Sequence, residues 1–424
     1  MGTVHVIGAG LAGLACAVEL AKAGRAVVVH EAAGQAGGRC RSFHDDALGC
    51  EIDNGNHLML SGNESAMAYL DTVGARDTLL CPEGARFPFV DLATGQRWTV
   101  DINEGRLPWW IFAPGRRVAD SRPGQYLAAL RLALAGPART VADCFDTRQP
   151  IYRRFWEPLA VAILNTAAEE ASARLLWRVF IETVGRGAAA SRPCIARDGL
   201  SHSLNRPALR NLERHKVAVR FGSRLRRLDT RDGQVVALDL AGETIALGPD
   251  DRVVLAVSPA VAVELLPGLT APLDTRPIVN GHFRLPEAPK PLGGLPFLGV
   301  IGGDAQWLFL RGPMVSVTVS AATALVDEPA EAIALRLWAD VARALTLGEA
   351  PLPPHRIVKE KRATFAATPA ELAKRPATRT GWRNLLLAGD WTQTGLPATI
   401  EGAVRSGHSA ASAALATVFG GGKG

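Results

Sequence analysis

The chain has 424 residues, 48% hydrophobic and 21% charged, with a formal net charge of +6. That length suits two or three domains around a sizeable core, and no apolar run nears the ~18 residues of a membrane-spanning helix. The positive balance would suit nucleic acid or an anionic membrane surface; no nucleic-acid-binding module is visible, which leaves lipid as the partner to consider.

Val4 to Ile7 reads as a strand, Gly8-Ala9-Gly10-Leu11-Ala12-Gly13 as a glycine turn opening a helix, and Ala26 to His30 as a second strand ending at Glu31. Gly8, Gly10 and Gly13 fit G-x-G-x-x-G: a tight turn, an open approach for pyrophosphate, and close packing of helix on sheet. The helix start, at Leu11 and Ala12, offers free N–H groups and a partial positive charge to phosphates. Glu31 stands where an acid accepts hydrogen bonds from ribose hydroxyls. A second glycine loop, Gly37-Gly38-Arg39, follows.

Asp53-Asn54-Gly55-Asn56-His57 then interrupts a short strand, and Asn63-Glu64 starts a helix whose stripe is Ala66, Met67, Leu70 and Val73. Arg86 to Asp101 alternates about Thr94-Gly95 as a hairpin would. Trp109 to Phe112 are bracketed by proline and glycine, with Arg116 and Arg117 close by. Helical patterns cover 124–135, 151–184 and 200–212. Strands are expected at 217–221, 224–230, 235–240, 252–257, 278–285 and 307–320. A helix over 328–345 has Asp327 as its expected N-cap. Asn384 to Ala388 reads as a buried strand, followed by Gly389-Asp390-Trp391 and a helix starting at Thr399-Ile400. The organisation expected is α/β: a nucleotide-binding Rossmann-like domain from 1–85, 196–265 and 376–424, and a second, α+β substrate domain from 86–195 and 266–375.

The six cysteines form no C-x-x-C pair and the nine histidines show no metal-ligand spacing. The expectation is buried, reduced thiols in a cytoplasmic protein, with no metal, no disulfide framework and no signal peptide.

Gly37-Gly38-Arg39 resembles the second glycine motif of the FAD-dependent amine oxidase and phytoene desaturase superfamily. Asp53 to Leu58, Leu164-Asn165-Thr166 with Glu169, Lys361 to Phe365, and the Gly389–Arg405 block together resemble its squalene-associated desaturase-like branch, nearly end to end. The resemblance implies FAD wrapped by both glycine motifs, Leu225 meeting the adenine through its backbone, and a long apolar tunnel for an isoprenoid. It also implies reductive removal of the hydroxyl of hydroxysqualene to give squalene, on the route to hopanoids. Asp390 would hold the ribityl chain. The helix N-terminus at Thr399 and Ile400 would face the flavin N1–C2=O region.

For that reaction an acid must reach the departing hydroxyl. His57 comes first, with Asn56, Asp53, Asn165 and Glu169 as further candidates. His57, Asp53 and Glu169 also have plain structural readings, in turn a core histidine, a loop carboxylate bonding backbone near the pyrophosphate, and a solvated first-turn acid. Three other readings stay open: a phytoene-type desaturase, an amine oxidase, and a non-enzymatic prenyl-binding protein of the same fold. The absence of cysteine after Cys194 and the three tyrosines weigh against amine oxidases, leaving Trp391 alone for an aromatic cage. The intact glycine motif weighs against a protein without cofactor. A water-insoluble substrate implies peripheral contact with lipid through Trp109, Trp110, Ile111 and Phe112, at the inner face of the membrane, and an unidentified electron donor completes the list of partners.

Overall fold

The computed structural model describes residues 2–290 and 293–416, so residues 417–424 of the expected third nucleotide segment lie outside the description. Val4–Ile7 is buried along its whole length and pairs in parallel with Val27–His30 and Arg252–Leu255. A strand covered on both faces reads as an unbroken apolar run, and this one does. Ala218–Arg220 and Leu385–Leu387 complete a five-stranded sheet in the order 218–220, 27–30, 4–7, 252–255, 385–387. The helix Leu11–Lys22 covers one face and packs on the helix Ile400–Leu415. The approach is close: a Cβ on Gly407 would lie 2.3 Å from the Ala12 carbonyl oxygen. On the other face, Leu225, Leu228, Val235 and Leu238 of a three-stranded sheet pack against Ile7, Val253 and Leu385.

The hairpin Ala85–Asp91 and Arg97–Ile102 forms as the alternation predicts. It joins a seven-stranded sheet through the parallel pairing of Ala85–Asp91 with Phe297–Ile301, the other pairings of this sheet being antiparallel. One face of this sheet carries the helix Ala330–Leu345, through Leu337 and Val341. Around the hairpin and the helices from 123 to 182, Trp98, Trp110, Tyr126, Phe155 and Trp156 build an aromatic core.

Three sequence expectations change. Asp327 does not cap the helix that follows; Pro329 precedes its first residue, Ala330, and the Asp327 carboxylate instead accepts from Lys361 at 2.7 Å. The helical pattern over 124–135 breaks into short turns, Pro123–Tyr126, Leu127–Ala129 and Leu130–Ala133. Cys81 and Cys194 are not free thiols but a disulfide. Its strand, Pro193–Ala196, pairs Ile195 with Leu80, which sets Cys194 opposite Cys81 with Cα atoms 4.3 Å apart. Sequence spacing could not show a bridge between residues 113 apart that only strand register brings together. No helix of the described residues is long and apolar enough to cross a membrane.

Candidate active site

The glycine turn separates packing from binding. A Cβ on Gly13 would fall 1.9 Å from the Gly8 carbonyl oxygen, so the helix can lie this close only without one. A Cβ on Gly10 would meet nothing within 4 Å. The ground above Gly10 is therefore open, and among the described residues the Leu11 and Ala12 N–H groups have no backbone acceptor. That is the cradle a pyrophosphate needs. Gly37 bridges to Gly10, and Gly38 follows with φ 57°. Glu31 accepts from the Ala9 and Ala33 N–H groups at 2.6 and 2.8 Å. A carboxylate has about four acceptor positions, so two remain for ribose hydroxyls. The Ser223 N–H donates to the Glu31 carbonyl, which draws the start of the Leu225–Arg231 strand beside this acid.

Arg39 connects distant parts of the chain. Its guanidinium donates to both Asp390 oxygens, at 2.8 and 2.7 Å, and to the Ala363 carbonyl at 2.5 Å. The second glycine motif and the C-terminal block, read separately in the sequence, share one ion pair. At the other end of that block, the Thr399 hydroxyl caps the last helix by accepting from the Gly402 N–H, and the Ile400 and Glu401 N–H groups find no backbone acceptor among the described residues. Glu401 turns away and accepts from Ser65 and Ala66, capping the helix Glu64–Val73. Trp391 is buried, and its indole N–H donates to the Val257 carbonyl, so it is core and not one wall of an amine cage.

Asp53, Asn56 and His57 come together in one small cleft with Ile195, Arg311 and Ser316. Asp53 is no free acid: it accepts from the Ser42 hydroxyl at 2.6 Å, the Leu200 N–H at 2.9 Å and the Arg311 guanidinium at 2.9 Å. Both of its oxygens are thus taken, one by two donors and the other by an ion pair. The Asn56 amide donates to the Thr318 hydroxyl, which donates to Asn280 Oδ1. Asn280 in turn donates to the Asn54 carbonyl, so the loop is tied to the seven-stranded sheet. Burial pushes the His57 imidazole below its ordinary value; Asp53 pulls the other way and Arg39 adds to the lowering. His57 is therefore mainly neutral near pH 7. Cys40, 3.8 Å from its Nε2, is pushed up to about 12 by burial and stays a thiol.

Asn165 and Glu169 do not line this cleft. Asn165 closes the helix Glu157–Leu164 in the left-handed conformation, and all of its amide is in use: Nδ2 donates to the Arg276 carbonyl and the Thr364 hydroxyl, and Oδ1 accepts from Ala321. It is a joint between segments. Glu169 is exposed beside Tyr152, and its charge adds to burial in raising Glu157. Sequence reasoning missed His282, whose Nδ1 lies 2.8 Å from the Ser316 hydroxyl and which burial pushes down to about 4. Its one signal was an isolated histidine in an apolar strand, which core histidines share.

A glycine-turn βαβ unit with open ground over its second glycine, completed by a capped C-terminal helix, defines a dinucleotide-dependent oxidoreductase. The chain belongs to the flavin containing amine oxidoreductase family, whose profile matches residues 11–415. It is 50% identical over 416 residues to a hydroxysqualene dehydroxylase from Rhodopseudomonas palustris, covering 98% of each chain. It is 48% identical over 413 residues to a hydroxysqualene dehydroxylase from Sinorhizobium fredii, covering 97% of this chain and 98% of the relative. In fold it is similar to an oxidoreductase from Methanosarcina mazei, with a TM-score of 0.73 at 13% identity, covering 96% of this chain and 99% of that one.

Proposed function

We propose that this chain is an FAD-dependent oxidoreductase that removes the hydroxyl of hydroxysqualene reductively, giving squalene and water. The observation that carries the reading is identity of 50% across 98% of both chains to a hydroxysqualene dehydroxylase. The cleft agrees with it: two neutral polar groups, Asn56 and His57, stand among apolar walls with the one nearby carboxylate already neutralised by Arg311. We assign the FAD pyrophosphate to Gly10, Leu11 and Ala12, the ribose to Glu31, and the Asp390–Ile400 block to the rest of the cofactor. We divide the chain into a nucleotide-binding domain from 1–85, 196–265 and 376–424 and a substrate domain from 86–195 and 266–375.

Bound reduced FAD supplies the hydride that replaces the hydroxyl. His57 and Asn56 hydrogen-bond the departing oxygen, and Thr318 with Asn280 keeps the Asn56 amide aimed. The hydroxyl leaves with one proton as water. Because burial depresses His57, its protonated fraction grows only as pH falls below the ordinary imidazole range. The single-turnover rate should rise in that direction. His57→Ala should slow anaerobic reoxidation of the reduced enzyme by hydroxysqualene about 10²–10⁴-fold with flavin content unchanged. A reduced wild type that hydroxysqualene fails to reoxidise, while oxidised enzyme bleaches with squalene or phytoene, would replace the reading with a desaturase.

An insoluble substrate calls for contact with lipid. Trp109 and Phe112 are 63% and 59% exposed, whereas Trp110 and Ile111 are buried in the aromatic core. Leu107, Leu127, Leu130 and Leu134, also exposed, extend the apolar surface. Residues 105–139 hold six arginines and one acid, Asp120. Tryptophan at the interface and arginine near anionic headgroups, at about 1 kcal/mol each, favour a peripheral dock. Trp109→Ser with Phe112→Ser should weaken sedimentation with anionic liposomes and leave the melting temperature in place. Equal sedimentation would remove the dock.

A further inference from the structure

A second cleft, about 330 Å³, opens beside the helix Ala173–Glu182. Arg174 and Arg178 stand one turn apart at its mouth, Arg375 and Gln393 line it, and Leu175 and Leu372 give it an apolar side. No acid lines it. Arg174 and Arg178 are exposed, and their side chains make no ion pair or hydrogen bond among the described residues. Two like charges at i and i+4 repel, so helix stability does not explain them.

Arg375 is the more telling group. It is only 5% exposed, yet its guanidinium meets the Phe365 ring face, 5.0 Å from the centroid, and otherwise neutral oxygens: the Leu396 carbonyl at 2.7 Å, the Asp390 carbonyl at 2.9 Å, the Thr394 hydroxyl at 2.8 Å and the Thr392 carbonyl. Its Nε has no partner. Burial pushes it down to about 10, and the charge of Asp390, a carboxylate already ion-paired with Arg39, offsets this only in part. A buried cation with no ion pair of its own is costly, and a bound anion lowers the cost.

We infer that this cleft is a binding site for a diphosphate-bearing ligand, gripped by Arg174 and Arg178 over the buried Arg375. Guanidinium forks match phosphate oxygens in pairs, and the volume, roughly ten times the ~30 Å³ share of a liquid water, exceeds what a single phosphate fills. Free diphosphate and the diphosphate of a nucleotide reductant share this chemistry. Only the second source rests on the reductive reading proposed above, which requires a reductant; the site itself does not.

The test uses the flavin-loaded protein, so that the glycine cradle is filled, with flavin absorbance read first. Inorganic diphosphate and a reduced nicotinamide dinucleotide are titrated separately by calorimetry. Diphosphate is expected to bind, and Arg174→Ala with Arg178→Ala, both exposed positions, should weaken it at least tenfold without loss of flavin. Tighter binding of the dinucleotide than of diphosphate assigns the site to a nucleotide; tighter diphosphate assigns it to the free anion. No diphosphate binding, or equal binding by the double variant, overturns the proposal. Loss of hydroxysqualene turnover with diphosphate binding intact would instead count against the reaction.

Discussion

Gly10 and Gly13 are glycines for different reasons, and substitution should separate them. A side chain at Gly10 enters open ground where we place the pyrophosphate, so Gly10→Val should yield folded protein with little flavin, read as the ratio of flavin to protein absorbance. Gly13→Ala forces a Cβ onto the Gly8 carbonyl and should instead lower stability, by about 1–3 kcal/mol as overpacking does. Flavin retained in Gly10→Val would remove the cradle. At this scale the sequence was legible where a residue's role is local. The turn at Gly8 to Gly13 and the start of the last helix at Thr399 follow from neighbours within a few positions. It was illegible where the partner is remote: Asp53 read as a candidate acid because neither Ser42 nor Arg311 announces that it will bond there.

Elements followed the same division. The βαβ unit, the 85–102 hairpin and the C-terminal helix were readable from period and turn chemistry. Asn165 drew attention through the family resemblance of Leu164-Asn165-Thr166, yet it ends a helix and ties it to two strands through Arg276 and Thr364. The strand Pro193–Ala196 gave no signal of lying between Met59–Leu60 and Leu79–Leu80, and the bridge to Cys81 went with it. Thiol titration of the unfolded, unreduced protein should therefore find four thiols, Cys16, Cys40, Cys50 and Cys144. Reduction should then release the two of the Cys81–Cys194 pair. Full titration of every cysteine before reduction would return the protein to the all-thiol state expected from its sequence.

Across the whole molecule, acid sensitivity follows from histidines buried neutral. His30 and His282 both fall to about 4, chiefly through burial, from an ordinary value near 6.5. The folded state resists their protonation and the unfolded state does not. Their contribution to stability is thus complete above pH ~6.5 and is lost as pH falls towards 4, by up to about 3 kcal/mol each. Urea midpoints should drop across that window, and His282→Asn, which can keep a bond to Ser316, should flatten part of the drop. A flat midpoint from pH 7 to 4.5 would contradict it. The five-stranded sheet has a consequence of another kind. Its centre, Val4–Ile7, is made before the flanking strand 252–255 and the edge strand 218–220, and Leu385–Leu387, which closes the other edge, follows them all. Arg39 waits equally long for Asp390. The nascent chain thus carries the cradle we propose half-built until the block around Asp390 is made, and a shortage of the vitamin after that point would leave a synthesised but unsealed protein exposed to proteolysis.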